Sequence, residues 1–238
     1  MIINIVIIGF DVNNFFIKFV SHLFTNMLKI NEIYYSIQGE GTKAGLPCVF
    51  VRLTFCNLRC TYCDTEYAFF EGKDFSIGDI IQEIRAYNCS LVELTGGEPL
   101  VQEESLALMK QLADCSFRVL LETGGSLPIK NIDQRVKIIM DLKTPSSGMS
   151  KKNMYENISC LKKGDEVKFV IGSREDYLWS KDIIKKYDLD NKTEILFSVV
   201  FGKLLPVELV NWILEDKLNV RFQLQLHKFI WKPQERGV

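Results

Sequence analysis

An α/β fold built on a mostly parallel sheet is what this sequence predicts, and three observations predict it. Short apolar runs alternate with helical patterns along most of the chain, and each of the first four core runs ends in a polar cluster rich in cysteine, glycine or serine. The chain has 238 residues and is 47% apolar, enough for one large domain with a full core. Such alternation implies right-handed crossovers and a sheet that is open or curled into a partial barrel. In that architecture the C-terminal strand ends share one rim, where ligands bind.

Residues 1–26 come first and are rich in Ile, Val and Phe, but Asp11, Asn13, Asn14 and Lys18 interrupt them short of a membrane-spanning length. They carry neither a basic start nor a small-residue cleavage site. Met27 stands directly before a patterned strand, Leu28–Ile33, so translation is expected to begin there, with 1–26 a dispensable extension and 27–238 a single domain. The predicted core strands are Cys48–Leu53, Leu91–Thr95, Phe117–Glu122, Val136–Asp141, Glu166–Ile171, Ile195–Val200 and Val220–Leu226. A helix is predicted over Ser76–Tyr87, where Ser76 and Asp79 form a capping signal and Ile77, Ile80, Ile81 and Ile84 recur at helical spacing. Glu103–Leu112, Glu175–Tyr187 and Val207–Lys217 carry the same pattern. No fixed repeat or Pro/Gly/Ser-rich linker interrupts the series.

A formal net charge of −1 supplies no electrostatic reason for a nucleic-acid or anionic-membrane partner. Four of the seven cysteines, Cys48, Cys89, Cys115 and Cys160, are scattered, which suggests reduced thiols and a cytoplasmic protein. The other three, Cys56, Cys60 and Cys63, lie within eight residues directly after the first core strand. Thiolates this close suit a single iron-sulfur cluster or zinc better than a disulfide with one residue left over. A structural zinc needs four ligands, and neither His22 nor His227 belongs to a recognisable ligand pair. The better reading is a 4Fe-4S cluster with one iron open, a coordination position that signals catalysis.

The polar clusters after the other strands fit a ligand beside that iron. In Thr95-Gly96-Gly97-Glu98-Pro99 the glycines are expected to let backbone approach the ligand, and Glu98 to accept from an ammonium group. Glu122-Thr123-Gly124-Gly125 and Asp141-Leu142-Lys143-Thr144-Pro145-Ser146-Ser147 follow the next two strands. All four clusters are predicted to line one pocket.

Cys56-x3-Cys60-x2-Cys63, with Tyr62 before the last cysteine and Gly96-Gly97-Glu98-Pro99 on the next strand, resembles the radical S-adenosylmethionine (SAM) superfamily. Within it, Ser36-Ile37-Gln38-Gly39-Glu40-Gly41, Phe50-Val51-Arg52, Asp64-Thr65, Thr95 through Pro99, Glu122-Thr123, Lys143-x-Pro145-Ser146-Ser147 and Arg236-Gly237-Val238 are similar to the 7-carboxy-7-deazaguanine synthase family, from about residue 28 to the end. The resemblance implies a partial, modified TIM-like barrel of six to seven mostly parallel strands, the radical SAM core. It also implies conversion of 6-carboxy-5,6,7,8-tetrahydropterin to 7-carboxy-7-deazaguanine with loss of ammonia, on the way to queuosine and other deazapurines. Cluster-bound SAM, not a protein side chain, would supply the radical. A pterin substrate, a flavodoxin- or ferredoxin-like reductant and a homodimer are expected with it, and neither nucleic acid nor membrane.

Residue by residue, the resemblance assigns the cluster to Cys56, Cys60 and Cys63 and a Mg2+ ion to the Thr65 hydroxyl. SAM contacts fall to Tyr62, Cys63, Asp64, Gly97 and Glu98, then to Asp141, Leu142 and Lys143, where relatives carry Ser-Pro-Lys. They end at Ser198, Val199, Val200 and Phe201, where an expected Gln is missing. Substrate contacts fall to Ile37, Gln38, Gly39, Arg52, Thr95 and Val238. The residues suit this independently: Arg52 can pair bidentately with a carboxylate, and exposed amides of residues 37–39 can read a flat heterocycle's edge. The tail is expected to fold over the pocket as a lid. Competing readings are a radical SAM activase acting on a partner protein, and a non-enzymatic iron-sulfur electron carrier with a fourth ligand.

Overall fold

The computed structural model describes residues 27–232 and 236–238. The expected extension over residues 1–26 lies outside them.

Among the described residues nine strands form one sheet in the order β3-β1-β2-β4-β5-β6-β7-β8-β9. The strands are β1 Met27–Ile37, β2 Pro47–Leu53, β3 Lys73–Ser76, β4 Leu91–Gly96, β5 Arg118–Thr123, β6 Lys137–Asp141, β7 Glu166–Ile171, β8 Glu194–Val199 and β9 Arg221–Phe222. From β2 through β9 every neighbouring pair is parallel, whereas β1 pairs antiparallel with both β2 and β3. The result is an open α/β sheet of seven parallel strands with an antiparallel margin, the partial-barrel class the sequence predicts. The helices are α1 Ile77–Ala86, α2 Glu104–Asp114, α3 Arg174–Tyr187, α4 Pro206–Glu215 and α5 His227–Ile230. Among the described residues no helix is long and apolar enough to cross a membrane.

Local chemistry explains the helix starts. Ser76 caps α1 by accepting from the Asp79 amide at 3.1 Å, and Ser173 does the same for α3 from Asp176 at 3.2 Å. Helix α1 buries Ile77, Ile80 and Ile84 against the sheet. The opposing strand positions Val49, Val51, Val92, Leu94, Val119, Leu121, Ile138, Met140, Phe169 and Phe197 belong to the same core. Each such side chain contributes about 1.5–3 kcal/mol on burial.

The other face of the sheet is different. Strand alternation turns Phe50, Leu120 and Ile139 into a small second cluster with Cys48 and Leu91, and places Arg52, Glu93, Thr95, Glu122, Asp141 and Lys168 above it. Parallel strands covered on both faces are usually near-continuously apolar, so these charges mark a polar interior.

Two details depart from the sequence reading. Strand β3 was not anticipated: four residues, two of them charged, become a strand only because β1 offers an edge, with Met27 opposite Ser76 and Ile30 opposite Lys73. The last strand is only Arg221–Phe222 rather than Val220–Leu226: the Gln223 amide still donates to Phe197 O of β8 at 2.9 Å, and the Gln223 and Gln225 side chains donate to Glu40. The following amide, Leu226, donates to the Gly39 carbonyl and α5 begins.

Candidate active site

A cavity of about 700 Å³ opens at the C-terminal ends of the parallel strands. All three clustered cysteines line it and are half-buried. Their loop fills the crossover from β2 and is fastened at several points. Arg59 donates to the carbonyls of Cys56 (2.8 Å) and Leu58 (2.6 Å), and its guanidinium stacks 4.2 Å from the Phe69 ring centre. Thr61 donates its amide to Ser147 O (3.1 Å) and its hydroxyl to Ser146 O (2.6 Å), which staples the loop to the segment after β6. Burial pushes the Cys60 thiol up to about 11 and raises that of Cys56, so neither is a free thiolate until a metal takes its proton.

The glycines of the second cluster have a different job from the one expected. A Cβ on Gly96 would collide with the Leu53 carbonyl oxygen, and one on Gly97 with that of Phe55. Gly96 also sits at φ +142. Both are needed because the end of β4 passes directly over the chain entering the cysteine loop. The contacts are locked by hydrogen bonds from Gly97 N to Leu53 O (3.1 Å) and from Glu98 N to Phe55 O (2.8 Å). Close backbone approach is real here, but the partner is the protein itself.

Glu98 is likewise committed. It is 1% exposed and accepts from Leu100 N (3.1 Å), Thr123 Oγ1 (2.9 Å to each oxygen) and Gly124 N (2.7 Å). These protein donors occupy both oxygens, so its main task is to hold the β5 end against β4 rather than to offer a free acceptor.

The remaining rim residues divide clearly. Tyr62, Asp64, Thr65, Thr95, Asp141, Lys143, Val200 and Phe201 all line the cavity. Leu142 and Val199 do not: their side chains lie in the outer core, where strand alternation sends them. Ser198 is buried one pleat below Val200, off the cavity wall, with no hydrogen-bond partner for its hydroxyl among the described residues. Three of the seven later expected contacts are therefore absent from the wall.

Ile37, Gln38, Gly39 and Arg52 line the same cavity together with Glu40, Glu93, Glu122, Lys168, His227, Arg236, Gly237 and Val238. The Gln38 amide is not free to read a heterocycle, since it donates to Leu46 O at 2.8 Å and closes the β1–β2 hairpin. Arg52 donates from Nε to Glu32 (2.6 Å) and from Nη2 to the Tyr34 hydroxyl (2.7 Å). The strand-end ion pair is thus present, and among the described residues Nη1 alone has no protein acceptor. Thr65 stands at the start of the short 3-10 turn Glu66–Phe69 without capping it by its side chain. Its hydroxyl lies 3.2 Å from Asp64 Oδ1, and Lys228 pairs with Asp64 Oδ2 at 2.7 Å.

Sequence residues 50–203 match the model of the radical SAM superfamily. A 7-carboxy-7-deazaguanine synthase of Chlorobaculum tepidum is 47% identical over 214 residues, covering 89% of this chain and 97% of the relative. The chain belongs to the 7-carboxy-7-deazaguanine synthase family. A synthase of the same name from Koribacter versatilis is 43% identical, covering 89% of this chain and all of the relative. The crystal structure of QueE from Escherichia coli shares the fold at a TM-score of 0.68, with 20% identity and coverage of 87% and 97%.

As a radical SAM family, these synthases use a 4Fe-4S cluster and SAM, and the cavity fits both. Three soft ligands sit on one fastened loop, and among the described residues no other cysteine reaches the cavity wall, which leaves one iron of a cubane for SAM. Asp141 Oδ1 is buried without a hydrogen-bond partner beside that loop, an acceptor suited to a polar group of SAM.

Family motifs did not reveal Glu93 and Lys168, although a signal exists in the sequence. Glu93 is the one charge in the apolar run Leu91-Val92-Glu93-Leu94, and Lys168 is buried with Glu166 two residues before it on the same face of the otherwise apolar β7.

Proposed function

We infer that the enzyme is a carbon–nitrogen lyase that converts 6-carboxy-5,6,7,8-tetrahydropterin to 7-carboxy-7-deazaguanine with loss of ammonia, a step toward queuosine and other deazapurines. One observation carries this reading. A single cavity is lined by the three-cysteine loop with Thr65 at its end, by Asp141, and by Arg52 and Gln38. A cluster held by Cys56, Cys60 and Cys63, with SAM on its open iron, would supply the hydrogen-abstracting chemistry directed at C6 of the pterin.

The chain's own residues bind and orient. Arg52 has one guanidinium nitrogen to spare and is held by Glu32 and Tyr34, so it meets the substrate carboxylate without reorganising. Of the assigned SAM contacts Tyr62, Cys63, Asp64, Gly97, Glu98, Asp141, Lys143, Val200 and Phe201 are retained, with Ile37, Gly39, Thr95 and Val238 as the further substrate contacts. Support is their shared cavity wall. The electron donor is a flavodoxin- or ferredoxin-like protein, consistent with a cluster that needs single electrons. The setting is cytoplasmic, in keeping with seven free cysteines, and the assembly a homodimer. Residues 27–238 act as one domain whose tail closes against the site.

The deciding experiment is anaerobic reconstitution with iron and sulfide, then SAM, dithionite and the carboxypterin. A deazapurine product is expected. SAM cleavage without it would keep the superfamily and discard the substrate.

A Mg2+ ion at Thr65 belongs to the same proposal, supported by a hydroxyl on the cavity wall that caps nothing and has Asp64 beside it. Thr65→Ala is expected to raise the Michaelis constant for the pterin about tenfold and to flatten the rate's dependence on added magnesium. Thr65→Ser should keep both. Steady-state rates across a MgCl2 titration decide it, and an unchanged titration in the Ala variant would remove the ion from the site.

The tail supplies a smaller effect. Arg236 lies 3.7 Å from the Tyr67 ring centre and pairs with Glu71 at 3.0 Å, and Val238 lines the cavity. Deleting residues 236–238 is expected to raise the pterin Michaelis constant about three- to tenfold with little change in turnover, since exposed pairs of this kind are weak. Unchanged Michaelis constants would mean that the tail does not cover the site.

A further inference from the structure

Lys168 is the most buried cation of the cavity, its side chain 5% exposed on β7. Its ammonium touches Glu122 Oε1, lies 3.1 Å from Glu40 Oε2 and 3.9 Å from Asp141 Oδ2. A buried lysine serving only structure needs one carboxylate partner, because each further desolvated charge adds cost. Here Asp141 already has Lys143 at 2.8 Å, so Lys168 serves chiefly Glu40 and Glu122. The remaining protein donors to these two carboxylates are neutral: Gln223 (3.2 Å) and Gln225 (3.0 Å) to Glu40, and the Thr95 hydroxyl (3.3 Å) to Glu122. Two anions therefore share one buried cation at the cavity wall, with acceptor capacity to spare.

We propose that Lys168 is a positioning residue of the reaction, holding Glu40 and Glu122 together as paired anionic acceptors for the N–H donors on the aminopyrimidinone edge of the substrate. This rests on the pterin reading above and adds a residue to it.

The surroundings separate the carboxylates. Burial works to raise the Glu122 carboxyl, but Lys168, by charge and by hydrogen bond, and Lys143 bring it below its ordinary value. Glu93, two residues before Thr95 on β4, is raised well above its ordinary value by burial and then by the charge of Glu122. Gln38 Nε2 donates to Glu93, so this acid does not compete for the lysine. Arg52 on β2, Asp64 on the cysteine loop and His227 on α5 complete the charged and titratable groups around the pair, and burial lowers His227 toward its neutral form.

The sign of the effect follows. Without the ammonium, burial dominates at Glu122, so its carboxyl takes up a proton toward the acid side and stops accepting. Affinity for an N–H donor edge is then lost as pH falls and recovered as pH rises. In the parent enzyme Lys168 holds the Glu122 carboxyl below its ordinary value, so this loss is not expected.

The test uses the reconstituted holoenzyme, measuring kcat and KM for the carboxypterin, and the ratio of SAM cleaved to product formed, from about pH 6.5 to about pH 8.5. The parent is expected to show a flat KM. Lys168→Met should raise KM on the order of tenfold or more at the acid end and less at the alkaline end, with iron content unchanged. Lys168→Arg keeps the charge and should keep the flat profile even where its larger head raises KM throughout; it decides alone if the Met variant does not fold. A Met variant with unchanged KM, or with KM raised equally at every pH, overturns the proposal, as does a pH-dependent KM in the Arg variant. Parent enzyme that cleaves SAM but forms no deazapurine fails the substrate reading itself, a result distinct from normal parent turnover with an indifferent Lys168.

Discussion

Cys60→Ala is expected to yield a folded protein that holds little iron, cleaves no SAM and turns over at less than roughly a thousandth of the parent rate, because the whole acceleration depends on the cluster. The fold should survive, since the cysteine loop is tied down without its thiols: Arg59 fastens the carbonyls of Cys56 and Leu58, and Thr61 fastens Ser146 and Ser147. Two other cysteines serve as controls. Cys48 is fully buried in the small inner cluster with Phe50 and Ile139, so Cys48→Ala should cost about 1 kcal/mol of stability and leave iron loading intact. Cys115 is exposed, and Cys115→Ala should change neither. Iron and sulfide analysis with the visible absorption of the reconstituted protein reads the outcome. A Cys60→Ala variant that retains the cluster and cleaves SAM would remove Cys60 from the ligand set.

Gly97→Ala is expected to have the largest effect among residues that touch no metal. Its new Cβ would overlap the Phe55 carbonyl and press on Cys56 Cβ at 3.0 Å, and the first of these is backbone that cannot swing aside. Phe55 already sits at φ 76, an uncommon conformation for a residue with a side chain. The clash should cost about 2–4 kcal/mol, lower the melting temperature of a chain this size by roughly 5–10 °C, and displace the first cysteine enough to impair loading. Gly78→Ala supplies the opposite sign. Gly78 lies in the first turn of α1, where an added Cβ finds its nearest neighbour, Ser76 Oγ, at 3.7 Å, so the change should stabilise by about 0.5–1 kcal/mol. Thermal melts of the three proteins, with iron content measured in parallel, check both. A Gly97→Ala protein that melts and loads like the parent would mean that the β4 end yields to the cysteine loop instead of fixing it.

Much of the architecture was legible because the signals are local. Apolar runs marked the parallel strands other than β9 to within a residue or two, with Glu166–Ile171 read at its observed limits. Hydroxyl caps at Ser76 and Ser173 start α1 and α3. Edge pairing is not local, which is why β3 was invisible and β9 overdrawn: a strand of two to four residues exists only where a neighbour offers a ladder.

The cysteine spacing, with no recognisable fourth ligand elsewhere in the sequence, pointed to the kind of cofactor, because three soft ligands on one loop suit a cluster with an open iron wherever the loop ends up. The glycine pair, Arg52 and Thr65 were marked by motif. Their tasks were decided by tertiary packing: Gly96 and Gly97 face the backbone of β2 and its following loop, Glu98 is consumed by Thr123 and Gly124, and the Gln38 amide closes a hairpin. Leu142, Ser198 and Val199 drop off the cavity wall for the same reason, since a one-residue step along a strand changes the face and a two-residue step changes the depth. The Glu40–Lys168–Glu122 nest was wholly a product of folding. Its members stand 46 to 128 residues apart in sequence, and charge partners so distant become neighbours only when parallel strands bring their inward positions together around one desolvated ammonium.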